Sequence, residues 1–413
     1  MTNDSQPSEP KPRRRYLGRR CLIVALIAGI LVGAGLGGAR WYRARQLERL
    51  QTQCRDVADS EEWEQLQTLA EEWLQWDESA VDAWLYLGES RSQTGDYAGA
   101  VDALSRIPDD NEKSYPALLI ASELQFEALN QPLDAVETIQ RLLQKTPRST
   151  TARQRLIYFY AVTLQRQQMI EAIRAAIHTQ SEPPEAYVYL IIADHLSFSN
   201  GMAEAEKWLR SSPDSEVFQV ARVLQLIDRI ENAETPAPES LSRSAYAELA
   251  RLTEQFPENV ALRRYHVEAA ARDQDMDRME KLFTVEPDAA AEDSVILRHK
   301  AWFLLRSGKV DEAEQAIKRS LQLFPLDWHS WNELSAVNRR LGKLDDAEAT
   351  AKIALVGKEL RKELVQLPNA RALNADHLQR IGEYAELVGD MQVVSSVHFR
   401  LNVLGQRPPG DSD

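Results

Sequence analysis

Seven histidines, His178, His195, His266, His299, His329, His377 and His398, are the first residues whose type could do chemistry. A structural metal needs about four ligands, and two histidines reach one ion from a helix when they stand four residues apart. No two of these do, and no acidic partner recurs beside them. The two cysteines, Cys21 and Cys54, are too few for a zinc site or a disulfide framework and read as free thiols. Gly33, Gly35 and Gly38 have the spacing of a dinucleotide-binding fingerprint. That motif needs a strand before it and a βαβ unit around it, and here a long helical run precedes it, so the match reads as chance. There is no phosphate-cradling loop ending in Lys-Ser or Lys-Thr and no nucleophile elbow. No catalytic residue, metal or cofactor is expected.

What would carry any function instead is a helical framework. Hydrophobic residues make up 44% and charged residues 27% of the chain, and only 17 of 413 residues are glycine. Abundant Ala, Leu, Glu, Gln and Arg favour helix, so the chain reads as all-α. The net charge of −14 is unevenly spread. Residues 1–50 hold ten Lys/Arg against three Asp/Glu, a net of +7, which leaves 39 basic against 60 acidic groups, a net of −21, in the rest. A body this acidic repels phosphate backbones, so nucleic acid is not an expected partner.

The basic head surrounds an apolar run. Cys21–Ala39 is nineteen residues without a charge, close to the ~20 needed to cross a bilayer as a helix. Six basic residues from Lys11 to Arg20 precede it and four, Arg40, Arg43, Arg45 and Arg49, follow. That bias places the N-terminus in the cytosol and the body on the periplasmic or extracytoplasmic side. Trp41 and Tyr42 stand where an interfacial aromatic belt belongs. The rival reading is a cleaved signal peptide with its apolar core at Leu22–Val32, and it also exports the body. Gly29, Gly33 and Gly37 recur every four residues, which would let two membrane helices pack closely as a homodimer. The expected layout is a disordered basic tail at 1–20, a transmembrane helix at 21–39, helical repeats at 40–404 and a disordered tail at 405–413.

The repeats have a period near 34 residues. In the clearest unit, 81–108, Trp84, Leu87 and Gly88 open one helix, Gly95, Asp96 and Tyr97 make the turn, and Ala100 and Leu104 line the second helix. Small residues where the helices cross let the backbones approach, and large ones fill the space around them. Further strong units are 294–327, with Leu297, Ala301, Gly308, Ala313 and Pro325, then 328–356, with Trp331, Leu334, Gly342 and Ala347, and 375–404. The small second-helix position recurs through Ala100, Ala135, Ala172, Ala205 and Ala245, with Arg278 a weak copy.

This pattern resembles the tetratricopeptide repeat, which runs Trp, Leu-Gly, Tyr, Ala, Phe, Pro over about 34 residues. Arg91 departs from it where the family has an aromatic residue. The resemblance implies a right-handed superhelical solenoid of about ten helix-turn-helix pairs with a concave inner groove. It also implies protein or peptide partners. Carried residue by residue onto 294–327 and 328–356, the family's groove positions include Arg298, Trp302, Arg306, Asn332, Arg339 and Arg340. Arginine forks suit carboxylates, so an acidic peptide is the implied ligand. The function expected is a non-catalytic, membrane-tethered scaffold; the alternative is an accessory subunit of a cell-envelope enzyme or assembly system, such as cytochrome maturation or export.

Overall fold

A computed structural model of the protein describes residues 15–194, 196, 200–284 and 292–405; of 15–36, 371, 404 and 405 it describes the backbone alone. Twenty α-helices, with no strand among the described residues, alternate with short turns. The chain forms two compact units, residues 1–117 and 118–413.

In unit 1, α1 (Arg15–Asp59) is a single helix of 45 residues, whose C-terminal part pairs with α2 (Trp63–Trp76). The next pair is α3 (Val81–Thr94) and α4 (Tyr97–Ser105). Leu50, Cys54, Leu66, Trp73 and Ala83 form one core cluster. Burial, with Glu72 nearby, pushes the Cys54 thiol up to about 11, so this cysteine is an inert packing group. Gly88 lies where α3 crosses α4: a Cβ there would come within 2.6 Å of the Leu104 side chain. A side chain at this position would have to push the two helices apart. Arg91, the departure from the repeat pattern, spans the crossing instead of filling it, with an ion pair to Glu71 at 3.1 Å and a hydrogen bond to the Gly99 carbonyl at 3.2 Å.

α5 (Ser114–Glu127) and α6 (Pro132–Lys145) lead into unit 2. There follow α7 (Thr150–Val162) with α8 (Arg166–His178), then α9 (Pro184–Ile191) and α10 (Gly201–Ser211), and α11 (Glu216–Glu231) with α12 (Glu239–Gln255). The remaining pairs are α13 (Val260–Arg272) with α14 (Met276–Thr284), α15 (Ser294–Arg306) with α16 (Val310–Leu323), α17 (Trp328–Arg340) with α18 (Leu344–Val365), and α19 (Ala375–Leu387) with α20 (Met391–Gly405). Ala135, Ala172, Ala205, Ala245, Ala313 and Ala347 are all buried on second helices.

An array of pairs stacked in line would leave its ends apart. Unit 2 instead closes on itself. Leu156, Ile177 and Tyr187 from α7–α9 share one hydrophobic cluster with Leu360, Leu364, Ile381, Tyr384 and Val397 from α18–α20. The extra length of α18 makes this possible, because it carries Leu360 and Leu364 beyond the end of an ordinary repeat helix.

Three expectations concern the N-terminal region. Helix α1 already begins at Arg15, so the tail expected to be disordered through residue 20 is helical over its last part. The apolar run Cys21–Ala39 lies within α1, but its side chains through residue 36, Gly29 and Gly33 included, lie outside the described residues. Among the described residues no helix is long and apolar enough to cross a membrane. Gly37 is described and is exposed, with nothing within 4 Å of an added Cβ.

Candidate functional site

Two arginines of unit 2 follow the repeat period. Arg264 and Arg298 are 34 residues apart on the first helices α13 and α15, and Asp293 and Asp327, also 34 apart, are the N-caps of α15 and α17. An aspartate at an N-cap accepts from amides that the helix leaves without partners. Asp293 Oδ1 accepts from the amides of Val295 and Ile296 at 2.9 and 3.0 Å, and Asp327 Oδ1 from that of His329 at 3.1 Å. The second carboxylate oxygen of each faces the preceding unit. Arg264 donates to Asp293 at 2.7 Å and Arg298 donates to Asp327 at 2.7 Å, each across 29 residues. Burial alone would raise both carboxyls, but the guanidinium groups outweigh it and hold Asp293 and Asp327 well below the usual carboxylate range. The result is a ladder of caps and arginines that ties each first helix to the next.

Arg298 is therefore not a groove residue. It is buried, and its charge is answered from inside the chain. The 34-residue repeat of both Arg and Asp was visible in the sequence and marks a junction rather than a ligand site. Asn332, one repeat after Arg298, is exposed and ends the ladder, because the longer α18 displaces the next first helix.

The other sequence-predicted residues lie on the surface of α15 and α17. Trp302 is half-buried under Arg306, whose guanidinium stands 3.9 Å from the indole centroid. Arg339 donates to Ser335 Oγ at 2.9 Å while remaining exposed, and Arg340 is exposed. Arg306, Arg339 and Arg340 all fall in last helical turns, where a cation also favours the helix dipole.

The closure of unit 2 brings together residues that no local pattern links. Glu182, nearly fully buried, accepts at Oε1 from Tyr187 at 2.9 Å, Ser396 at 3.0 Å and Arg400 at 3.1 Å. Arg174 of α8 grips Asp390, at the start of α20, through both terminal nitrogens. Asp194 accepts from Arg361 Nε at 2.9 Å and faces His329 Nε2 at 3.3 Å. Burial would raise the Asp194 carboxyl, but His329 and Arg361 hold it well below the usual range. Arg166 is fully buried, with Nε donating to the Ala193 carbonyl at 2.6 Å and its guanidinium over Phe324 at 4.8 Å. Burial pushes Arg166 down to about 10.

Residues 64–115 in unit 1 and 300–360 in unit 2 match the tetratricopeptide-repeat family model. These two stretches carry tetratricopeptide repeats. No curated protein matches its sequence. Among solved structures, the APC/C hetero-tetramer Cut9–Hcn1 is similar at 15% identity over 87% of this chain and 79% of that one, with a TM-score of 0.31. Yeast Tom70 is similar at 12% identity over 88% and 97%, with a TM-score of 0.26. A tetratricopeptide-repeat protein from Parabacteroides merdae is similar at 13% identity over 71% and 99%, with a TM-score of 0.26. Tetratricopeptide repeats are typically interaction scaffolds without catalytic groups.

One titration follows from the ladder of this repeat protein. His299 stands beside Arg298, whose terminal nitrogen lies 3.4 Å from His299 Nε2. Burial and that guanidinium push His299 down to about 3. The folded chain thus keeps His299 neutral in mild acid, whereas the unfolded chain takes up the proton near pH ~6.5. Stability is expected to fall as the pH drops from about 6.5 toward 3, before the paired aspartates are protonated. Urea midpoints measured from pH 7 to 4.5 should decline, and His299→Gln should flatten that slope. An equal slope in both proteins would place the acid sensitivity elsewhere.

Proposed function

We propose that this repeat protein is a non-catalytic scaffold, held to a membrane by the helix through Cys21–Ala39, that presents its repeats to protein partners outside the cytosol. The uncharged nineteen-residue run, with its Arg-rich flank, supports the tether. The cluster of exposed cations on the first helices of two successive units supports the contact surface. With Arg298 taken by Asp327, that surface consists of Arg306, Arg339 and Arg340, with Trp302 and Asn332 beside them. Its ligand is an acidic extended segment, since arginine forks pair carboxylates and the Arg306–Trp302 stack holds one fork in place.

The test uses the full chain in detergent and a fluorescein-labelled oligoglutamate peptide, followed by anisotropy. Changing Arg306, Arg339 and Arg340 together to alanine should weaken binding by about tenfold, because exposed pairs are individually small. Lysine at the same positions should restore only part of it, and added salt should weaken the wild type. Equal binding by the wild type and the alanine variant would reduce the patch to a solvated face.

A further inference from the structure

We propose that the base of unit 1 is seated on lipid headgroups through a collar of Trp41, Tyr42 and Trp76 with Arg40, Arg43 and Arg45; this rests on the membrane tether proposed above. The first observation is continuity. α1 runs without a break from Arg15 to Asp59, so the helix that carries the apolar run also supplies Leu50 and Cys54 to the core of unit 1. No flexible linker separates the apolar run from the repeats.

The second observation is a clasp between elements. Arg43 donates to the carbonyl of Trp76, the last residue of α2, at 2.7 Å, and the rings of Tyr42 and Trp76 meet edge to face at 6.1 Å. Arg45 lies over the Trp41 ring at 5.4 Å. The clasp brings an indole from the second helix to the level of α1 that directly follows the apolar run. Arg43 is four residues past Ala39, about 6 Å along a helix axis. The headgroup layer on each side of a bilayer is about 5–8 Å deep. Trp76 therefore falls within that layer when Cys21–Ala39 spans the hydrocarbon.

The chemistry of the collar fits a lipid surface better than a protein or a second copy of this acidic chain. Trp41 is 63% and Tyr42 55% exposed, although both are large rings that an aqueous surface disfavours. Amphipathic aromatic rings collect at the boundary between hydrocarbon and water. Arg40, Arg43 and Arg45 are exposed, and no acidic residue occurs between Glu9 and Glu48. Anionic headgroups attract basic segments placed in this way.

The full chain is reconstituted in phosphatidylcholine–phosphatidylglycerol vesicles, with and without lipids brominated near the headgroup end of the acyl chain. The nine tryptophans report contact through quenching. Quenching is expected in the wild type, reduced in Trp41→Phe and in Trp76→Phe, and lost in the double variant. Trp41 is exposed, so its replacement leaves the core of unit 1 untouched. If the protein floats with the vesicles but quenching is the same in all four proteins, the seating is wrong and the tether stands. If Trp41→Cys chains crosslink to each other and the wild type is unquenched, a second copy covers the collar and the seating is wrong. Failure to float at all overturns the tether and the seating together.

Discussion

Replacing Asp327 with alanine is expected to lower the unfolding free energy by about 3–5 kcal/mol, because it leaves a buried charge without its partner. Three interactions end together. The cap of α17 loses the bond from the His329 amide, Ser330 loses its acceptor, and Arg298 loses its ion pair. Asp327 and Arg298 are both buried, so solvent does little to compensate. The unpaired guanidinium should dominate, since an N-cap alone contributes only about 1 kcal/mol. Changing Arg298 to methionine in the same chain should recover much of the loss, because no buried charge then remains. Urea denaturation of the wild type, the single variant and the double variant measures this directly. If the double variant is as unstable as Asp327→Ala, the cost lies in the cap and not in the ladder.

The second large effect is expected at the closure. Glu182→Ala should destabilise unit 2 by about 1–3 kcal/mol, since Arg400, partly exposed, loses its carboxylate partner but keeps the Glu182 carbonyl. It also removes the acceptor shared by Tyr187 and Ser396. Amide hydrogen exchange should accelerate first along α20, which this carboxylate holds against the start of α9. Glu182→Gln keeps an acceptor and should fall between the wild type and alanine. Exchange in α20 no faster than in the wild type would show that apolar contacts alone hold the closure.

The pair architecture was legible where the turn inside a pair is a glycine. Gly95, Gly308, Gly342 and Gly389 adopt φ between 75° and 89°, and they sit in the four units that the sequence displayed most clearly. Other pairs make the same left-handed turn with residues that announce nothing: Glu61, Asn130, Leu164 and Gln274, all with φ between 53° and 58°. A non-glycine residue there carries some strain, which the packing on either side must hold. Sequence reasoning therefore saw the second helices through their small residues and lost the turns.

The contact surface was legible only in part. Family positions located Arg298 correctly on a first helix, but whether an arginine faces solvent depends on what the next unit offers it. That answer was present in the spacing of Asp293 and Asp327. The closure left no such trace. Glu182 and Arg400 are 218 residues apart, and Arg174 and Asp390 are 216 apart, so neither pair has a local period or motif.

That separation bears on how unit 2 folds. In an open array each repeat leans only on its neighbours, nucleation can begin anywhere, and the ends fray independently. Here the last pair completes the core of the earlier ones, so the terminal helices share the fate of α7–α9 and unfolding becomes one cooperative event. The chain must also close a loop of more than 200 residues before those contacts form, which makes them late and slow to arrive. Until α20 is in place, α8 and α9 keep an apolar flank open to solvent, the state in which a ribosome-bound chain would be most exposed to aggregation.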